Sequence, residues 1–188
     1  MTQFQDYAWA IDPGKGKPHA LAAFDAHYDL RTVWFASNAL EAIQRSGSDQ
    51  LPQHVVYERP RVYPYGGKRK HQAPPNDLLD LEHAASMLVG ALTAGGCSTA
   101  TRVHSYFPRQ WKGPIAKPKH HLALWRAMPE AWRGVLGGAE TAEYIHRACE
   151  AIAYGREPAY GAKVVDLLDA VGIGAKMLVD SRCRRMVL

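Results

Sequence analysis

No stretch of this sequence reaches the roughly 18 consecutive apolar residues that a membrane span needs, so an integral helical membrane protein is not expected. Cysteine is scarce. Cys97, Cys149 and Cys183 are odd in number, far apart, and form no CxxC pair. A disulfide framework and a structural zinc are therefore not expected. The nine histidines show no ligand spacing either, and His120-His121 reads as a loop or helix-start pair. The opening residues MTQFQDYAWA lack the basic start and apolar core of a signal peptide, which points to the cytoplasm. Internal repeats, low-complexity tracts and a separate linker are also missing. One domain over 1–188 is expected, with 47% hydrophobic residues to fill its core. Acids are the minority charge, 18 against 23 Lys and Arg, for a net +5 and a pI near 9.2. That leans toward a polyanionic partner without requiring one.

Short apolar runs fill the first third of the chain. Residues 7–11 (YAWAI), 19–24 (HALAAF) and 31–36 (RTVWFA) predict strands separated by Pro-Gly-Lys and Asp-Ala-His-Tyr-Asp turns. SNALEAIQRSG predicts a helix capped by Ser37 or Asn38, with Gly47 just past its end. HVVYE (54–58) is a fourth strand. A helix opening at Asn76 carries Leu78, Leu81, Ala85, Leu88 and Leu92 along one stripe, and RVHSYF (102–107) is a fifth strand. The segment 108–120 reads as polar and rich in Pro and Lys. Residues 121–155 read as helical, with breaks at Pro129 and Gly137-Gly138. The last helix, 162–179, is apolar on more than one face and is expected to be largely buried.

Four acids sit awkwardly in this pattern. Asp12 ends a strand that looks fully buried, just before a Pro-Gly turn. Glu58 ends HVVYE. Asp166 and Asp169 lie three residues apart in the last apolar helix and so share a face. Each alone has a bland explanation, as an Asx-turn residue, a strand-end charge or a solvent-facing side chain. Together, acids on two strand ends and one packed helix can converge, where they would repel and shift one another's pKa values unless divalent cations neutralise them. Carboxylate-only ligation suits Mg²⁺ or Mn²⁺ rather than Zn²⁺. Two such ions roughly 4 Å apart over a phosphodiester activate a water and stabilise the leaving oxygen.

AIDPGK, VVYERP and VVDLLDAVGIG resemble the three acidic motifs of the RuvC family of Holliday-junction resolvases, and its bacteriophage branch more closely. The resemblance implies an α/β, RNase H-like fold: a five-stranded mixed sheet, second strand antiparallel, flanked by helices. It also implies a Mg²⁺- or Mn²⁺-dependent endonuclease that resolves four-way DNA junctions, with two ions per site held by Asp12, Glu58, Asp166 and Asp169. A phage or prophage origin and no organic cofactor go with it. A fourth stretch, YFPRQWKGPIAKPKHH (106–121), resembles the family segment in which a Tyr-x-Pro leads to lysines near the scissile phosphate. Lys112 and Lys119 fit those places best, with Lys117 a competitor. The chain departs from the family at the glycine usually found soon after Asp-Pro-Gly, a place near His19. It is also longer between Lys119 and Asp166, where it carries Trp125 and Trp132.

The loop RPRVYPYGGKRKH (59–71) holds five Lys or Arg and no acid. Arg59, Arg61, Lys68, Arg69 and Lys70 would track phosphates, and Tyr63 and Tyr65 could stack on exposed bases. Lys112, Lys117 and Lys119 complete the expected DNA surface, whereas SRCRR (181–185) reads as a solvated tail. The helix from Asn76, with Leu78, Leu81, Met87 and Leu88, offers a seam for a homodimer, whose paired sites would suit a four-way junction. Two other readings stay open. One is an RNase H-like nuclease for other branched DNA or RNA–DNA hybrids. The other is a DNA-binding or packaging-associated protein that keeps the fold without the reaction, and the intact acid set argues against it.

Overall fold

Strand β1 (Ala8–Asp12) is the middle strand of a five-stranded sheet ordered β3-β2-β1-β4-β5, as seen in a computed structural model that describes residues 7–14, 18–47, 51–60, 75–95, 101–115, 117–156 and 164–185. β2 (His19–Phe24) runs antiparallel to β1 and to β3 (Leu30–Ala36), while β4 (His54–Glu58) and β5 (Arg102–Tyr106) run parallel to β1. This is the mixed α/β sheet with an antiparallel second strand that the motifs imply.

Strand periodicity sorts the side chains by size. Ala8, Ala10, Ala20 and Ala22 line one face together with Phe24 and Val56. Trp9, Ile11, Leu21, Trp34 and Val55 line the other. The bulky face is covered by α1 (Ala39–Ser46) and α2 (Pro75–Gly95), through Ala42, Leu88, Val89 and Leu92. Alanines on the opposite face leave room for a helix to lie close. α7 (Val164–Arg185) fills that room with Leu168, Val171 and Ile173. At Gly174 the approach is so tight that a Cβ would sit 2.2 Å from Phe24 Cε2. α4 (Lys117–Ala127), α5 (Glu130–Val135) and α6 (Gly138–Ala153) extend this layer with Trp125, Trp132 and Ile145. Among the described residues no helix is long and apolar enough to cross a membrane.

Two expectations need correcting. The stretch 108–120 holds a short helix, α3 (Pro108–Trp111), and the first turn of α4, because Pro108 and Pro118 sit at helix starts, where a missing N–H costs nothing. The backbone of 181–185 continues α7 rather than leaving it as a tail. Elsewhere the agreement is local and physical. Asn38 is the cap of α1, its Oδ1 accepting the Glu41 N–H at 3.0 Å, and Gly47 closes the helix at φ 64.

Candidate active site

The periodicity that sorts the core also aims two of the acids. Asp12 follows Ala8 and Ala10 at two-residue steps, and Glu58 follows Val56, so both belong to the face covered by α7. Ile11 is level with Tyr57 across the parallel pair, which sets Asp12 and Glu58 side by side at the carboxyl ends of β1 and β4. α7 packs across β1, β2 and β4, and carries Asp169 buried and Asp166 half-buried on its first two turns.

The four carboxylates lie within electrostatic reach of one another. Desolvation raises the Asp12 carboxyl well above its ordinary range; Asp169, Glu58 and Asp166 push it further, and Lys117 opposes them. Glu58 is also raised, by desolvation first and then by Asp169, against Lys112 and Trp111. Asp169 goes the other way. Desolvation alone would raise it, but the His121 hydrogen bond and the Lys117 charge outweigh that and bring it down to about 2. Neighbouring acids pushed in opposite directions mark this cluster as a candidate functional site.

Cations and donors from β5 onward hold these acids. Lys112 reaches Glu58 Oε2 at 3.3 Å, and the Trp111 indole N–H donates to the same oxygen at 2.8 Å. Lys117 is ion-paired to Asp169, whose Oδ1 lies 2.8 Å from His121 Nε2. Lys117 and His121 are four residues apart on α4, so one helix face delivers both. His120, one step round, is held near a pKa of about 4, chiefly by desolvation and then by the His121 charge. His19 stands at the start of β2, where its Nδ1 accepts the Gly14 N–H at 3.3 Å and ties down the turn after Asp12. Tyr106 donates its hydroxyl to Asp180 Oδ2 at 2.8 Å, anchoring the end of β5 to α7.

The structure thus brings together Asp12, Glu58, Asp166, Asp169, Lys112 and Lys117. Lys119 is not with them. It is exposed, and its charge bears on Cys149 of α6. Arg59 leaves the acid cluster for the other side of the sheet, pairing with Glu82 of α2 at 3.3 Å and lying over the Phe107 ring. Arg61, Tyr63, Tyr65, Lys68, Arg69 and Lys70 lie outside the described residues. Trp111 and His121 had no assigned role in the sequence reading. A helical reading of 117–127 would have put His121 beside Lys117.

An all-oxygen set of carboxylates is the donor chemistry of hard divalent ions such as Mg²⁺ or Mn²⁺, and these residues fit them by type. Among the described residues, no group of three or more His, Cys, Asp or Glu side chains stands close enough together to hold a metal ion.

No protein-family model matches the chain, and no curated protein matches it. Among solved structures it is similar to the crystal structure of the yeast mitochondrial Holliday junction resolvase Ydc2, at 14% identity and a TM-score of 0.41, over 94% of this chain and 79% of that one. A likeness of that size carries no weight for function, which has to come from the side chains.

Proposed function

We propose that the chain is a RuvC-type, divalent-metal-dependent endodeoxyribonuclease that resolves four-way DNA junctions. The observation that carries this reading is the meeting of Asp12, Glu58, Asp166 and Asp169 at the carboxyl edge of two parallel strands, with Lys112 and Lys117 among them. Asp12, Glu58, Asp166 and Asp169 would hold the ions. Bound Mg²⁺ supplies an activated water and neutralises charge on the leaving oxygen.

The chain's own cations do the rest. Lys117, with a third of its side chain exposed, is placed to exchange Asp169 for a phosphate oxygen. Lys112 can offer a second point charge to the phosphate as negative charge develops there. His121 keeps the buried Asp169 in one orientation. The basic segment from Arg59 supplies the affinity for the DNA backbone that the net charge of +5 favours.

The test is a cleavage assay on synthetic four-way junctions, flaps and RNA–DNA hybrids, with Mg²⁺ and with chelator. Paired symmetric nicks in junctions, lost with chelator and in Asp12→Asn, support the proposal. Cleavage confined to flaps or hybrids would turn the assignment to a different RNase H-like nuclease. Binding without cleavage of any substrate would leave a DNA-binding protein.

A further inference from the structure

Trp111 closes the short helix α3 with its ring buried between two of the elements that carry acids. On one side its indole N–H bonds Glu58 Oε2 at 2.8 Å, and the Lys112 ammonium that shares this oxygen stands 4.8 Å from the ring centroid. On the other side the ring rests on α7 at Gly172. A Cβ there would lie 2.6 Å from Trp111 Cζ3 and 3.0 Å from Cε3, so any larger residue would displace the indole. Gly172 is one helical turn beyond Asp169. The same ring therefore touches the acid of β4 and the helix face that carries the acids of α7.

We infer that Trp111 is a positioning residue that sets both the orientation of Glu58 and its distance from the acids of α7, with Gly172 kept bare to admit it. This rests on the metal-dependent reading proposed above. The terminal torsion of a Glu is broad, so an unrestrained carboxylate spreads over many orientations. Fixing Oε2 with two donors leaves Oε1, which accepts no hydrogen bond among the described residues, as the oxygen offered to the cluster. The indole does this without charge, so it orients Glu58 without competing with a cation for it. Lys112 alone could not, because an ammonium on a flexible stem follows the carboxylate wherever it turns.

The test is Mn²⁺ binding to the purified full chain, by calorimetry or by the electron paramagnetic resonance signal of free Mn²⁺. Trp111→Phe keeps the ring and removes only the N–H. Its affinity should fall roughly 10–100-fold, the usual effect of losing a partner behind a metal ligand. Gly172→Ala, which pushes the ring without touching a ligand, should fall in the same direction. In a Glu58→Gln background, Trp111→Phe should have no further effect. Equal affinity for wild type and Trp111→Phe, or an equal loss in both backgrounds, overturns the positioning role while leaving the metal site standing. A wild-type chain that takes up no Mn²⁺ overturns the metal reading itself, and this inference with it. If Trp111→Phe does not fold, one measurement still decides. One of the five Trp indole N–H resonances must move between wild type and Glu58→Gln, and no movement sinks the inference.

Discussion

Lys117 of α4 is ion-paired to Asp169 of α7, and this contact picks one lysine out of a run of three. Lys112 serves Glu58 and Lys119 is exposed. Replacing Lys117 by Met should lower junction cleavage on the order of 10²-fold, the scale of losing one electrostatic donor in an active site. Lys119→Met should stay within about 2-fold, as for an exposed charge. Single-turnover rates on one junction compare them, and equal losses would undo the distinction.

Asp12 gives a prediction with opposite signs for stability and activity. Its carboxyl is raised by desolvation and then by Asp169 and Glu58, so in metal-free protein the folded state binds its proton more tightly than the unfolded state does. Stability from this group is present at low pH and is lost as pH rises from the unfolded value near 3.8 through the higher folded one. Asp12→Asn should therefore melt higher than wild type at pH 7 in chelator, each kcal/mol relieved adding roughly 2–4 °C in a chain of this size. The same variant should not cleave, yet should bind junctions at least as tightly. A lower melting temperature would mean that the four acids do not repel.

His121 should matter to the fold as well as to the site. Removing it as Ala leaves the buried Asp169 Oδ1 without its 2.8 Å partner. The expected cost is about 1–3 kcal/mol, read from urea unfolding in chelator. His121→Gln, which can still donate, should recover part of it.

The basic segment beyond Arg59 is tested through salt. Neutralising Lys68, Arg69 and Lys70 together should make the log–log dependence of junction affinity on salt shallower, by up to about 2.7 if each touches a phosphate. An unchanged slope means that these residues do not touch phosphate.

Assembly is the fifth prediction. On α2, Leu88 is buried while Leu78 and Leu81 are half-covered, and Leu79 and Met87 are 60% and 63% exposed. A homodimer is expected to use that exposed strip. Leu79→Glu with Met87→Glu should give monomers in sedimentation that nick junctions but seldom resolve them.

Much of this was legible in the residues, for reasons that can be named. Strands β1, β2 and β4 are short apolar runs between turn residues, and Asp12 and Glu58 stood out as charges at the ends of such runs. Two-residue periodicity then decides which face they share. The segment 108–120 was not legible. Its prolines and lysines resemble a loop, whereas Pro108 and Pro118 open helices that pack on α6 and α7. With no helix expected there, the i, i+4 relation of Lys117 and His121 is out of reach, and Lys119 ranks ahead of Lys117. Trp111 was hidden for a related reason, since nothing local says that an indole will lie on a bare glycine more than fifty residues later in the chain.

The placing of the acids has a consequence for how the protein is made. Asp12 stands on the first strand of the sheet and Asp169 on the last helix. At about 5–20 residues per second a ribosome needs roughly 8–30 s to travel from one to the other. Throughout that interval the nascent chain lacks Asp169, and so its full set of carboxylates. On the proposed function, fragments cut ahead of α7 would be in the same position, lacking Asp166 and Asp169. If the proposed activity is right, the order in which the parts emerge would keep half-finished copies from cutting DNA.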